Sequence, residues 1–176
     1  MKTAGVAIVG EALGYRGGHF TGIAMTSERI LLGRSKSIVI SVDSIFGDVR
    51  PRRTSKPAKC PSGFSEPTAT IVWSALINAG LRPEEFVSWN AFPWHSFDRR
   101  AGMLSNRTPT KSEQLAGLPV LEAFFALFPI KKTIALGKIA ASRLGELGIS
   151  AECVRHPASG GARLFRQQIS AALKLP

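Results

Sequence analysis

The sequence predicts a three-layer α/β/α sandwich whose centre is a four-stranded, mainly parallel sheet. Short apolar runs typical of buried strands alternate with amphipathic stretches typical of helices, and glycine marks most of the junctions between them. The chain has 176 residues, which is enough for one domain with a full core and too few for two comfortable ones. We therefore expect residues 1–176 to form a single domain.

The N-terminal third combines one clear strand with a long loop. The apolar run at 6–9 predicts a buried strand that ends at Gly10. Residues 27–33 predict a short helical turn, and residues 37–43 have strand propensity without a clear partner. Prolines and basic residues fill the segment 46–64, which is predicted to be a long basic loop.

The remaining elements are predicted to alternate between helix and strand. Pro67 suits the first turn of a helix that would end at Gly80. Ser112 is predicted to cap the next helix. The other predicted elements are strands at 85–90, 131–137 and 151–156 and helices at 138–147 and 164–173.

The net charge of the chain is +11, which indicates a polyanionic partner, most commonly nucleic acid. The basic residues fall in loop-like segments, where they would contact phosphates without selecting a base sequence. A basic surface that only keeps the protein soluble is the alternative, and charge alone does not distinguish the two. The two basic runs are Arg50, Arg52, Arg53, Lys56 and Lys59, and then Arg99, Arg100, Arg107 and Lys111.

Composition excludes several kinds of site. Cys60 and Cys153 are the only cysteines; two cannot complete a four-ligand metal or iron–sulfur site and are predicted to be free thiols. No apolar run reaches the roughly 18 residues that a membrane span requires, and the N-terminus is not expected to be a secretory signal. We therefore expect a cytoplasmic monomer with no metal, no cofactor and no membrane partner.

Three of the predicted strands end in residues able to do chemistry: Glu11, Asn90 and His156. In a parallel sheet these ends share one edge, where ligands collect. An acid, an amide and an imidazole around a glycine-lined cleft can orient water, bind a hydrogen-bonding edge and stabilise a leaving anion. Each residue also has a purely structural interpretation, because Asn90 could cap a turn and His156 could be a half-buried core histidine.

Five short motifs of the chain together resemble the uracil-DNA glycosylase superfamily. The match is closest to its small bacterial members, whose first motif is Gly-Glu-Ala-Pro-Gly. The resemblance extends from Gly5 to about Arg166, and five motifs in the right order are fairly specific. The motifs are Gly10-Glu-Ala-Leu-Gly14, Trp89-Asn-Ala-Phe-Pro-Trp-His95, Asn106-Arg-Thr-Pro-Thr110, Ala135-Leu-Gly-Lys138 and Arg155-His-Pro-Ala-Ser-Gly-Gly161.

The resemblance implies hydrolysis of the N-glycosidic bond of a base flipped out of DNA, as in base-excision repair, without an iron–sulfur cluster. Asn90 would bind the base edge and discriminate uracil from cytosine, and His156 would donate to the base oxygen where negative charge collects. Glu11 would hold the attacking water or offset positive charge on the sugar. The base-binding residues would be Gly10, Ala12, Gly14, Tyr15, Phe20, Met25, Asn90 and Phe92. The DNA-binding residues would be Arg107, Lys138, Pro157, Ala158, Ser159, Gly160 and Arg163, with the loop from Pro157 pressing into the duplex.

The chain departs from the family pattern around the base. Leu13 stands where proline is common, and Ala12 replaces an aspartate of the best-known branch, so water activation would rest on Glu11. Gly14 stands where that branch has a tyrosine that excludes the methyl group of thymine, so a roomier pocket is expected. Met25 stands where many members have a phenylalanine that stacks on the base, and Phe20 or Phe92 could substitute for it.

Two other functions remain compatible with the sequence. A non-catalytic nucleic-acid-binding protein that retains the glycosylase fold is favoured modestly by Leu13, Ala24 and Met25. A hydrolase of phosphorylated small molecules could use the glycine loop as an anion cradle, although the acid at Glu11 argues against a phosphate there. The first function, excision of uracil or a related deaminated base, is the one that the motifs favour.

Overall fold

The structure is a computed structural model, and it describes residues 3–38, 43, 45 and 47–173. Four strands form one sheet in the order β2-β1-β3-β4, and each neighbouring pair is parallel. This confirms the predicted four-stranded sheet and its parallel direction. The strands are β1 (Val6–Ala12), β2 (Phe86–Phe92), β3 (Lys132–Leu136) and β4 (Glu152–Val154).

Six α-helices and one short 3-10 helix (Pro83–Glu85) lie wholly within the described residues, and none of them is long and apolar enough to cross a membrane. Pro67 is the first residue of its helix, as predicted. The predicted cap at Ser112 is wrong, because Thr110 is the N-cap and exchanges hydrogen bonds with Glu113 in a capping box. Most of the predicted strand at 37–43 lies outside the described residues. The helices are α1 (Gly18–Thr21), α2 (Glu28–Leu31), α3 (Pro67–Asn78), α4 (Lys111–Ala126), α5 (Lys138–Glu146) and α6 (Ala162–Leu173).

The two faces of the sheet are covered by different helices, which gives the predicted three layers. Successive residues of a strand point to opposite faces. Ile8 therefore packs with residues of α3 and α6, including Leu76 and Phe165, while Val9 packs with residues of α4 and α5, including Leu121 and Leu144. The central strand β1 is buried on both faces, as its apolar sequence predicts.

Helix α4 approaches β2 so closely that one position admits only glycine. A Cβ atom on Gly117 would overlap the carbonyl oxygen of Ala91 and lie 3.2 Å from Cα of Phe92. Because both neighbours are backbone atoms of a sheet strand, they cannot move aside without disturbing the sheet. Gly117 therefore sets the distance between α4 and the end of β2.

A buried carboxylate organises the basic segment that follows α2. The side chain of Glu28 is fully buried and accepts hydrogen bonds from the backbone N–H groups of Thr54 (3.1 Å), Ser55 (2.9 Å) and Phe64 (2.9 Å) and from the Ser55 hydroxyl (2.6 Å). Burial alone would raise the pKa of Glu28, but these hydrogen bonds hold the pKa below its ordinary value of 4.5. The carboxylate thus accepts backbone hydrogen bonds that a helix or a strand would otherwise satisfy in this segment.

The same network connects the basic segment to the loop after β1. The hydroxyl of Thr54 donates to the carbonyl oxygen of Phe20 (2.5 Å). Arg53 donates to the carbonyl oxygens of Pro61 (2.9 Å) and Cys60 (2.6 Å), and its guanidinium lies 3.9 Å from Glu28. Arg53 is therefore directed inward, and only part of the predicted basic run is exposed for a partner.

We predict that Gly117→Ala destabilises the protein by about 1–3 kcal/mol, because the added methyl group overlaps the backbone of β2. The matched control is Gly145→Ala in α5, where an added Cβ meets nothing within 4 Å; this change should be neutral or stabilising by up to about 1 kcal/mol. Thermal unfolding of both variants measures the difference. Equal melting temperatures would show that α4 can shift away from β2.

We predict that Glu28→Gln lowers the stability at pH 7 by about 2–4 kcal/mol, because an amide cannot accept the four hydrogen bonds. The folded pKa of Glu28 is lowered, so its contribution is present above about pH 4.5 and lost as the pH falls through the folded pKa. The gap between wild type and variant should therefore narrow in acid. Glu122→Gln, an exposed acid on α4, is the control and should change stability by less than about 0.5 kcal/mol. A pH-independent gap in urea unfolding would contradict the account.

Candidate functional site

The carboxyl ends of the parallel strands bring the predicted site residues to one edge of the sheet. Glu11 lies near the end of β1, and Asn90 lies on the adjacent strand β2, where it is paired with Gly10. His156 follows β4 on the other side of β3. Within the described part of the chain, no hydrogen bond joins these three side chains directly. The three side chains thus reach the same edge of the sheet from three separate segments of the chain.

Asn90 is buried without a hydrogen-bond partner for its amide oxygen. The residue is 1% exposed, and its Oδ1 atom has no donor among the described residues. A Cβ on Gly10 would lie 2.7 Å from that oxygen, so the glycine opens the space in front of the amide. A buried, unpaired carbonyl costs about 1–3 kcal/mol. The amide is therefore held for a donor that the protein itself does not supply.

Met25 covers the amide of Asn90 from the loop after α1. Its Sδ-methyl group packs against Gly10, in the position that a side chain on Gly10 would occupy. The backbone of Met25 is left-handed, with φ of 53°, a conformation that costs a non-glycine residue of order 1–3 kcal/mol. The side chain of Met25 therefore lies at Gly10, on the side where the Asn90 amide oxygen also lies, and it is held there by a strained backbone conformation.

The two phenylalanines considered as substitutes have other partners. Phe20 stacks on Phe64, with ring centroids 4.4 Å apart and an angle of 10° between the rings. Phe92 is 8% exposed and makes an edge contact with Trp94.

Glu11 is half-buried and hydrogen-bonded to the side chain of Thr108. Burial raises the pKa of Glu11 above 4.5, and the hydrogen bond from Thr108 offsets part of that rise. A carboxylate with a raised pKa is a stronger base than an exposed one, so Glu11 can take a proton from water. Thr108 belongs to the Asn106-Arg-Thr-Pro-Thr110 motif, which gives that motif a specific contact with the acid.

The hydrogen bond at one ring nitrogen of His156 determines which nitrogen carries the ring proton. The backbone N–H of Ala158 donates to Nδ1 of His156 (3.1 Å). Burial, together with the neighbouring charge of Arg155, lowers the pKa of His156 below 6.5. The ring is therefore neutral at pH 7, and because Nδ1 accepts, its proton must be on Nε2. His156 presents a neutral N–H donor.

The loop after β4 is held tightly by glycine. A Cβ on Gly161 would overlap the carbonyl oxygen of His156, and Ser159 and Gly160 both have positive φ. Within this loop Pro157 is buried, whereas Ala158, Ser159 and Gly160 are exposed. The tight turn fixes the Ala158 N–H group that orients the imidazole.

A cleft lies beside the loop after β1, between Tyr15 and the loop after β4. It has a volume of about 390 Å³ and is lined by Tyr15, Glu66, Asn106 and residues 157–159, among others. The backbone N–H of Tyr15 donates to Oδ1 of Asn106 (2.9 Å). The predicted base-binding residue Tyr15 and three predicted DNA-binding residues therefore share one cleft, whose lining does not include Glu11, Asn90 or His156.

The predicted DNA-binding cations have different surroundings. Arg107 forms a bidentate pair with Glu113 (2.6 and 2.7 Å) and also donates to the carbonyl oxygens of Phe97 and Thr108. This arginine therefore braces the loop before α4. Lys138 and Arg163 are exposed in the first turns of α5 and α6, where they are accessible to phosphate.

Glu66 is a site residue that the sequence analysis did not identify. It precedes Pro67 at the start of α3, and burial raises the pKa of its carboxyl group to about 7. Its sequence position carries no signal of this, because its contacts are glycines about fifty positions away in the chain. No group of three or more His, Cys, Asp or Glu side chains in the described residues could hold a metal ion.

The chain is similar to known proteins in sequence profile and in fold. Residues 2–170 match the sequence profile of the uracil DNA glycosylase superfamily. A crystal structure of wild-type SMUG2 from Pedobacter heparinus is similar in fold, with a TM-score of 0.64 at 12% identity, over 98% of this chain and 75% of that one. No curated protein sequence matches. Because the profile covers nearly the whole chain, this protein belongs to the uracil DNA glycosylase superfamily.

Proposed function

We propose that this protein is a monofunctional DNA glycosylase that hydrolyses the N-glycosidic bond of uracil or a related deaminated base. The observation that carries the proposal is the buried, unpartnered amide oxygen of Asn90. Deamination converts a ring nitrogen that accepts a hydrogen bond into an N–H group beside a new carbonyl. An unpaired amide oxygen accepts from such an N–H. At the same ring position cytosine and adenine present a nitrogen lone pair, which would face the oxygen and leave it unsatisfied, so the undamaged bases are disfavoured.

His156 and Glu11 supply the two other requirements of the reaction. When the glycosidic bond breaks, its electron pair passes to the base, and negative charge collects on the base oxygen next to the broken bond. The neutral Nε2–H group of His156 donates to that oxygen without giving up its proton. Water then adds to the anomeric carbon, and the carboxylate of Glu11 accepts the proton that the water loses. The base leaves as its anion and takes a proton from solvent, and Glu11 returns its proton to solvent. The products are the free base and an abasic site.

Access to a base in a duplex requires that the base leave the stack, which costs a few kcal/mol. The exposed residues of the loop after β4 are Ala158, Ser159 and Gly160, which are too small to fill the space of an extruded base. The loop between β2 and α4 instead presents Met103 and Leu104, 56% and 54% exposed. We assign the wedge that replaces the base to these two side chains.

The loop that carries this wedge is held by internal hydrogen bonds and contains basic residues. The N–H of Gly102 donates to the carbonyl oxygen of Asp98 (2.9 Å), and the hydroxyl of Ser105 donates to that of Gly102 (2.6 Å). Arg99 and Arg100 are exposed beside the wedge and form no ion pair with any described residue. An apolar tip with two cations beside it fits a base stack flanked by phosphates.

A non-catalytic DNA-binding protein is the second candidate, and the packing of Met25 favours it. The methionine covers the amide of Asn90, so a base must displace it before binding. If Met25 does not move, the protein binds DNA without excising a base.

We predict that the protein converts uracil-containing oligonucleotides, single- or double-stranded, into alkali-labile abasic products. Asn90→Ala and His156→Ala should each lower the single-turnover rate by about 10²–10³-fold, the usual cost of a removed transition-state donor or acceptor. Glu11→Gln should lower it by at least about 10²-fold. Hypoxanthine and xanthine substrates tested in parallel define which deaminated base is preferred.

The matched control is Asn78→Ala, an exposed asparagine at the far end of α3, and it should retain the wild-type rate. Tight binding of every substrate with no abasic product would overturn the glycosylase and establish the DNA-binding alternative.

We predict that Met103→Ala combined with Leu104→Ala slows excision from a duplex by about 5–30-fold, because 1–2 kcal/mol of support for the extruded base is lost. Excision from a single strand should be unchanged. Leu127→Ala, which removes a 67% exposed leucine at the opposite end of α4, is the control. Equal losses on single- and double-stranded substrates would show that these side chains act in some other way.

A further inference from the structure

The cleft lined by Glu66 contains an acid that the proposed chemistry does not use. The carboxyl group of Glu66 packs against Gly14 and Gly17, and a Cβ on either glycine would overlap a carboxyl oxygen. The two glycines therefore make room for this side chain. Among the described residues, the carboxyl group has no hydrogen-bond or ion-pair partner. A largely buried carboxyl without a partner, on the wall of a cleft, indicates a ligand that the protein alone does not provide.

The other polar groups of the cleft are donors. The guanidinium of Arg16 lies over the ring of Tyr15 (5.1 Å) and forms no ion pair with a described residue. Oδ1 of Asn106 already accepts from the N–H of Tyr15, so its amide nitrogen remains to donate. Ser159 adds a hydroxyl group from the loop after β4. A cation, an amide N–H and a hydroxyl are the groups that bind an anionic oxygen.

We propose that this cleft binds a phosphodiester group of the DNA backbone, and that Glu66 donates one hydrogen bond to it. The inference rests on the proposed function only in that the ligand is DNA. The carboxyl group must carry a proton to donate, since an ionised carboxylate would repel the phosphate. A phosphodiester has no proton of its own to share near neutral pH, so the proton stays on Glu66. DNA and one proton therefore bind together.

The surroundings of Glu66 are consistent with a protonated acid near neutral pH. Burial raises the pKa of Glu66 to about 7 in the free protein, and a bound phosphate would raise the pKa further. Three of the residues that line the cleft have titratable side chains. They are Tyr15 and Arg16 in the loop after β1, and Glu66 at the start of α3. Arg16 is thus the only other lining side chain with a formal charge, and burial is the only cause of the raised pKa of Glu66.

The first test measures affinity as a function of pH. The probe is a fluorescent duplex containing a tetrahydrofuran abasic-site analogue, which no glycosylase can cleave. For wild type, the dissociation constant should rise above pH 7 by up to about tenfold per pH unit, the limit for one linked proton. Glu66→Gln keeps the shape and a neutral donor, so its affinity should remain high and vary much less between pH 6 and 8.5. Arg16→Gln should weaken binding and reduce the salt slope by about one.

The matched control is Glu84→Gln, an acid in the turn that precedes β2 at the opposite edge of the sheet, and it should retain the wild-type pH dependence. A variant that fails to fold does not decide the question, because calorimetry on wild-type protein measures the same coupling. At pH 7.5, titrations in buffers of different ionisation enthalpy should show net uptake of up to one proton per duplex bound.

Zero proton uptake, or a Glu66→Gln variant with the pH dependence of wild type, would overturn the proposal. The result is independent of catalysis. If the protein excises uracil but takes up no proton when it binds DNA, the proposed glycosylase function stands and only the proposed phosphodiester site is wrong. Proton-linked binding without excision supports the site in a protein that only binds DNA.

Discussion

The parallel direction of all four strands is the constraint on which the site depends. Because β1 is central and pairs with both β2 and β3, the segments that follow β1, β2 and β4 all leave the sheet at one edge. The acid, the amide and the imidazole reach that edge from positions 11, 90 and 156 without any direct bond between them. Backbone hydrogen bonding of the sheet thus determines the spacing of the three groups.

A buried carboxylate performs the corresponding task for the segment that has no regular structure. Glu28 accepts three backbone N–H groups and a hydroxyl from the residues after Arg53, which fixes a loop that could not bury its own backbone. Thr54 then connects this loop to the carbonyl oxygen of Phe20. The glycine loop after β1 is therefore connected, through Thr54, to the segment that Glu28 holds in place. The hydrogen bonds that the ionised Glu28 accepts outweigh the cost of burying its charge.

Sequence reasoning succeeded where the signal was local. Alternation of apolar runs, Pro67 at a helix start and motifs at strand ends were sufficient for the fold class, and they placed Glu11, Asn90 and His156 at the ends of strands. It failed where partners are distant in the chain. Nothing near Glu66 indicates that Gly14 and Gly17 leave space for its carboxyl group. Arg53 resembles its exposed basic neighbours in the sequence, yet it donates to the backbone carbonyl oxygens of Cys60 and Pro61.

Asn90 and Met25 combine two unfavourable features at one point of the molecule. An unpaired buried amide oxygen and a left-handed methionine each cost stability, and a fold selected for stability alone would remove both with a glycine at 25 and an apolar residue at 90. Under the proposed function, a base that entered would give the amide oxygen an N–H donor and so remove the first cost. The second cost would remain, because it lies in the backbone of Met25 and not in the position of its side chain. Of the two costs, only the unpaired amide therefore couples stability to the proposed ligand.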